Sequence, residues 1–346
     1  MWDREQPLRP NMDFAEIFAP GSNSFRQEDW EILSQFWHPL AFSHEIRGDP
    51  VSEKLLDMNL VIYRTSHGIT VARDLSLYKG TRISSGKMDN DYLICPFHGL
   101  RYAYQGYCMD RPAFSLITFE SKEHCGIVWT RLKRNREYPL PNWAFLDSDQ
   151  YIPVFIPSEI WKASASRHVE NFNDVAHFPF VHASTFGGEE GDPFPIYQVR
   201  NEPFGLSFEL PYTEVGNRFP DGRPDLKDRQ VVYRYQLTFP FSTCLEVDVQ
   251  GSDFLHVILD TVCPRSARES KIFQILTDNS GELNAELWLD DAMAINSEDR
   301  PLVEAQTPED VPLDLREEVH IPADRFSLEY RRAMSNKFGL GAPISS

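Results

Sequence analysis

The segment Glu170-Asn171-Phe172-Asn173-Asp174-Val175-Ala176-His177-Phe178-Pro179-Phe180-Val181-His182 concentrates carboxylate, amide and imidazole groups. Asp174 and His177 are three apart, a spacing that puts both on one face of a helix. His182 is five residues further on, which an ideal helix would rotate about 140° away. Pro179 lies between the two histidines and is expected to break or kink that helix, turning the second imidazole toward the first. Two neutral imidazoles hold a divalent first-row metal, and one carboxylate completes a facial triad with positions left open for dioxygen and substrate. Asp174 beside His177 has the character of an acid that orients a ligating imidazole. The competing reading is two separately satisfied histidines, one in the core and one on a turn. Asn171, Asp174 and the surrounding Phe172, Phe178 and Phe180 weigh against it. The third ligand stays open at this level, because Asp290, Asp291, Glu298 and Asp299 all fall in one acid-rich stretch.

Such a cluster needs elements to carry it. The 346 residues suggest two domains, each able to bury a core. Trp30, Leu33 and Trp37 recur at helical spacing after Ser24 and Gln27, which resemble a capping box, so a short helix is expected to start near Phe25. Leu60–Arg64 and Ile69–Arg73 around His67-Gly68 read as a hairpin, and short strands continue to a small all-β domain ending near residue 140. Tyr138-Pro-Leu-Pro-Asn142 reads as a linker. Beyond it, β-rich stretches near 204–212, 230–249 and 254–277 predict an antiparallel sheet, flanked by helices near 163–178 and 282–297. Together these give an α+β chain: an extension over 1–29, an all-β domain over 30–140 and a second domain over 141–346.

Composition removes several function classes. With 34 basic and 52 acidic residues the net charge is −18. That charge disfavours nucleic acid and polybasic membrane binding. No apolar run approaches the roughly 20 residues of a membrane helix. The start Met-Trp-Asp-Arg-Glu-Gln lacks the apolar core of a secretory signal. Five scattered cysteines make no disulfide framework and fit a reducing cytoplasm.

The pattern Asn171-x-x-Asp174-x-x-His177-x-x-x-x-His182 resembles the oxygenase (alpha) subunits of Rieske non-haem iron oxygenases. The later run Glu298-Asp299-Arg-Pro-Leu-Val-Glu-Ala-Gln306 is similar to that family's segment carrying the third ligand. The closing runs Pro312–His320 and Asp324–Arg331 look like the branch of vanillate and methylxanthine N-demethylases. The resemblance covers roughly residues 30–335. It implies an N-terminal all-β Rieske-like domain and a C-terminal helix-grip catalytic domain with an antiparallel sheet. It also implies mononuclear Fe(II) on His177, His182 and Asp299, with Asn171 and Asp174 as catalytic neighbours and Phe172, Phe178, Phe180 and Trp288 as candidate pocket walls.

The family's Rieske motif holds a [2Fe–2S] cluster on Cys-x-His and Cys-x-x-His. Here the second half is intact as Cys95-Pro-Phe-His98, whereas the first half reads Ser76-Leu-Tyr78, in register with Asp74, Gly80 and Gly86. One thiolate and one imidazole cannot bridge two irons, so the cluster is expected to be absent, with Cys95 and His98 as packing residues and Cys108 recruitable only if the small domain reorganises its loops. Two readings follow. One is a monooxygenase (hydroxylation, or N- or O-demethylation of a small aromatic, heterocyclic or alkaloid-like molecule) that uses O2 and takes electrons in trans. The donor would be a Rieske-bearing paralogue or an NAD(P)H-dependent reductase, within a trimer or hetero-hexamer. The other is a non-catalytic structural or regulatory subunit of an intact paralogue. A small-ligand binding module is a weaker third option.

Overall fold

The computed structural model describes residues 23–183, 185–187, 196–215, 228–282 and 285–341. The chain divides into two compact units, Met1–Glu137 and Tyr138–Ser346. The division falls at the first residue of the Pro-rich Tyr138–Asn142 segment.

In the first unit a short helix α1 (Gln27–Leu33) precedes nine strands: β1 (His38–Phe42), β2 (Val51–Leu55), β3 (Met58–Thr65), β4 (Gly68–Arg73), β5 (Lys87–Asp89), β6 (Tyr92–Ile94), β7 (Arg101–Tyr102), β8 (Thr118–His124) and β9 (Ile127–Arg131). They form a six-stranded antiparallel sheet in the order β1-β9-β8-β4-β3-β2 and a three-stranded sheet β5-β6-β7. The expected hairpin is β3–β4, in register from Leu60↔Arg73 to Thr65↔Gly68. The expected capping box does not form. Arg26 is the N-cap of α1, and Ser24 Oγ instead donates to Asp57 Oδ2 at 2.6 Å. Most of the expected extension, residues 1–22, lies outside the described residues.

In the second unit the elements are β10 (Val154–Trp161), α2 (Ala165–Phe172), α3 (Phe178–Val181), β11 (Arg200–Glu202), β12 (Gly205–Val215), β13 (Asp228–Thr238), β14 (Ser242–Val249), β15 (Leu255–Ser266), β16 (Glu269–Asp278), α4 (Ala285–Glu304) and α5 (Arg325–Arg332). The seven strands make one antiparallel sheet ordered β10-β16-β15-β14-β13-β12-β11. Two β-rich stretches of the sequence turn out to be hairpins. Residues 230–249 divide into β13 and β14 at Phe239-Pro240-Phe241, and 254–277 divides into β15 and β16 near Ala267. The first turn is apolar, with Phe239 and Phe241 buried, and carries no polar signature. The second centres on Ala267 between Arg265-Ser266 and Arg268-Glu269, with no Gly, Pro or Asn to mark it in the sequence.

Strand alternation builds the inner face. Tyr233 and Tyr235 of β13 stand opposite Val247 and Leu245 of β14, which in turn stand opposite His256 and Ile258 of β15. α4 packs along β10, and α2 packs against β15 and α4.

Candidate metal centre and adjoining cavity

Asp174 and His177 lie beyond the end of a helix, which corrects the expectation of one helix over 163–178. Helix α2 starts with Ser164, whose Oγ accepts from Arg167 N–H, and stops at Phe172. The Asn173 side-chain amide donates to the Val169 carbonyl at 2.8 Å and to Thr243 Oγ1 at 3.1 Å, giving the chain an alternative to continuing the helix. Asp174 then makes a side-chain turn, its Oδ1 accepting from Ala176 N–H at 2.9 Å. Pro179 does not produce the break. It occupies the first turn of α3, where a missing N–H costs nothing. His177 and His182 flank that single turn, and its rise and rotation bring the imidazoles to one side.

The two Nε2 atoms are 3.2 Å apart. Asp299 of α4 places Oδ1 3.2 Å from His182 Nε2 and 3.5 Å from His177 Nε2. Three donors on one octahedral face, each about 2.1 Å from a common centre, stand about 3.0 Å apart, close to this triangle. Asp299 Oδ1 is buried, and no hydrogen bond of acceptable geometry reaches it. A buried carboxylate oxygen left in this way is costly unless a cation completes it. Among the described residues this is the one group of three or more His, Cys, Asp or Glu side chains placed to hold a metal ion.

The far nitrogens explain why the near ones face inward. His177 Nδ1 donates to Asp174 Oδ2 at 3.1 Å, and His182 Nδ1 donates to Glu298 Oε2 at 2.8 Å. Each carboxylate fixes the tautomer that leaves Nε2 as a lone pair. Burial alone would lower the pKa of His177. The hydrogen bond to Asp174 and the negative charges of Asp174 and Asp299 outweigh it and raise the group to about 9. Burial likewise pushes Asp299 up, and the two imidazoles beside it more than reverse that, holding it well below the usual carboxylate range. In the absence of a divalent cation a proton balances the charge, and a metal held here would displace it. Gly187 supports His182 by close approach: its N–H donates to the His182 carbonyl at 2.8 Å, and a Cβ there would sit 2.3 Å from the Phe178 carbonyl oxygen.

One side of the triad opens on a mostly apolar cavity of about 100 Å³. Phe172, Phe178 and Trp288 line it with Tyr233, Leu245 and Ile258 of the sheet, and Asn171 borders it as well. Phe180 does not line it. As the third residue of α3 it turns outward and is 60% exposed, which corrects its expected place in the pocket wall. Sequence reasoning missed Glu298 as the partner of His182, and it missed His256, Glu214 and Arg229 in the cavity wall. Only the Glu298-Asp299 dipeptide offered a signal, since adjacent acids on a helix can address two sides of one ring.

In the first unit, Ser76 is buried, its Oγ accepting from Tyr78 N–H at 3.1 Å and donating to the Tyr78 carbonyl at 3.0 Å. The Tyr78 ring meets His98 edge-on at 4.6 Å between centroids and stacks on Phe114 at 5.4 Å. Cys95 is 1% exposed and belongs to an apolar core with Leu93, Leu100, Tyr102 and Cys108, whereas His98 is exposed. These residues do not form the two-thiolate, two-imidazole set of a Rieske cluster.

A β unit with half a Rieske motif, followed by an antiparallel-sheet unit with a two-histidine, one-carboxylate cluster, defines the class of Rieske-type oxygenases. The chain belongs to the family with the vanillate O-demethylase oxygenase C-terminal domain, matched over residues 161–338, preceded by a match to the Rieske [2Fe–2S] domain over 36–120. It is similar to methylxanthine N1-demethylase NdmA of Pseudomonas putida, 28% identical over 324 residues, covering 88% of this chain and 89% of that protein. Methylxanthine N3-demethylase NdmB of the same organism is 27% identical over 329 residues with the same coverage. The structure of P. putida CBB5 NdmA with caffeine superposes with a TM-score of 0.77 at 25% identity, covering 90% of this chain and 92% of that one. The protein is an oxygenase-class enzyme of α+β architecture, and no described helix is long and apolar enough to cross a membrane.

Proposed function

We propose that this chain is the oxygenase subunit of a monooxygenase that hydroxylates, or N- or O-demethylates, a small aromatic or heterocyclic molecule. Fe(II) held by His177, His182 and Asp299 would supply dioxygen activation, the chemistry of the two-histidine, one-carboxylate class. The observation that carries this reading is the buried Asp299 Oδ1, 3.2 and 3.5 Å from the inward-facing Nε2 atoms of His182 and His177, at the edge of an apolar cavity. Asp174 and Glu298 hold the imidazoles, while Phe172, Phe178 and Trp288 exclude water and press the substrate toward the open face. The kinship with two N-demethylases supports demethylation.

We further propose that the electrons come from another polypeptide. Ser76 and Tyr78 stand where a thiolate and an imidazole are needed, and both are engaged in local packing and hydrogen bonds. A second copy of this chain shares the same deficit, so the donor is a Rieske-bearing paralogue or a reductase, within a trimer or hetero-hexamer. Five cysteines, none of them in a disulfide, suit a reducing compartment, and a cytoplasmic location goes with this reading.

The test mixes the iron-loaded chain with an intact Rieske-bearing paralogue, a reductase, NAD(P)H and candidate substrates, and follows hydroxylated product or formaldehyde. We expect turnover that depends on this chain and is lost with Asp299→Ala. Full turnover with Asp299→Ala would assign the chemistry to the partner and leave this chain a structural subunit.

A further inference from the structure

The cavity beside the triad carries a polar atom that the iron chemistry does not use. His256 on β15 is buried, and its Nδ1 lies 3.0 Å from the Thr277 carbonyl oxygen. A carbonyl only accepts, so Nδ1 bears the hydrogen and Nε2 is left as a bare lone pair. The described residues give the ring no second hydrogen bond. Burial pushes its pKa down to about 3, so the ring stays neutral and cannot answer an acceptor by taking up a proton.

The ring is also fixed in place. It stacks on Trp288 with centroids 3.9 Å apart and planes 12° from parallel, and Trp288 Nε1 donates to Asp278 Oδ2 at 3.2 Å. Both rings line the cavity that His177, His182 and Asp299 border. The other charges of the wall disfavour an anion. Arg229 is tied to Glu214 at 2.5 Å, Glu214 also accepts from Tyr233 Oη at 2.6 Å, and Asp291 adds a further carboxylate. A substrate carboxylate would set its oxygens against the His256 lone pair and these acids.

We propose that His256 Nε2 selects the substrate by accepting a hydrogen bond from it, so that the cavity takes neutral, planar heteroaromatics bearing a ring N–H or O–H. This rests on the cavity being the substrate site of the function proposed above. His256 is here a positioning and specificity residue, with no part in dioxygen chemistry.

Indole and benzofuran test it, because they share a shape and differ in the N–H. Calorimetric titration of the full-length chain, anaerobically loaded with Fe(II) and also metal-free, should show indole binding about 3- to 10-fold tighter than benzofuran, the range of one net hydrogen bond. In His256→Phe, which keeps a ring against Trp288, the preference should fall to within about twofold through loss of indole binding alone. In the wild-type chain, the 15N resonance of His256 Nε2 should shift on adding indole and stay in place with benzofuran, a readout that stands even if the variant fails to fold. Equal affinities, a preference surviving in His256→Phe, an unmoved Nε2 resonance, or no binding of either probe would overturn the proposal. A preserved preference in a chain that takes up no iron would uphold this inference while sinking the iron reading.

Discussion

Glu298 Oε2 stands 2.8 Å from His182 Nδ1. Its neighbour on α4, Asp299, faces Nε2 of the same ring. Consecutive residues of one helix thus hold a single imidazole from opposite sides, one fixing the tautomer and the other facing the nitrogen proposed to bind the metal. Removing the Glu298 carboxylate frees the ring to rotate. We expect Glu298→Ala to weaken Fe(II) or Co(II) binding by about 10- to 100-fold with the fold intact, measured by competition with a chelator.

Asp174 performs the equivalent task for His177 across three residues of irregular chain. Its side chain is 33% exposed, so replacing it disturbs little packing. Asp174→Asn offers an amide that presents either end to Nδ1, and the tautomer loses its enforcement. About tenfold weaker metal binding is expected, at the low end of what such partners contribute, with an unchanged circular dichroism spectrum. An affinity equal to the parent would show that the turn alone aims His177.

Gly187 tests the packing behind His182. A methyl group at this position overlaps the carbonyl oxygens of Phe178 and His182, which are backbone and cannot move aside as a side-chain tip can. We expect Gly187→Ala to destabilise the second unit by about 1–3 kcal/mol in urea unfolding, the usual cost of overpacking, and to lose metal together with stability.

Arg331 of α5 ties α2 to the closing run. Its Nε donates to Glu170 Oε1 at 2.6 Å and its Nη2 to Glu170 Oε2 at 2.7 Å, with Glu318 Oε2 also at 2.7 Å. Arg331→Met would strand the Glu170 carboxylate in a buried site. A loss of about 3–5 kcal/mol is expected for a buried pair broken from one side, and the double variant Arg331→Met/Glu170→Leu should recover much of it.

Much of this was legible before any coordinates. The histidine spacing, the family pattern and the Ser76/Tyr78 replacements are local, and local patterns survive in one dimension. The helix end was not legible, because Asn173 stops α2 partly through Thr243, seventy residues away. Two hairpins read as single strands because one turn, at Phe239-Pro240-Phe241, is apolar and buried, and the other, at Ala267, has no Gly, Pro or Asn to mark it. Phe180 and Phe178 are equivalent in composition, and only the rotation of one short helical turn sends one into the cavity and the other to solvent. His256 carried no sequence signal, since its role depends on which carbonyl its Nδ1 meets.

The central claim is a mononuclear iron site in a chain without its own cluster. The direct measurement is iron and acid-labile sulfide content of the purified, anaerobically reconstituted chain, read with its visible spectrum. We expect one iron per chain, no sulfide and no red-brown absorbance. Further iron accompanied by sulfide would contradict the absence of a cluster, and failure to take up any iron would contradict the assignment of His177, His182 and Asp299.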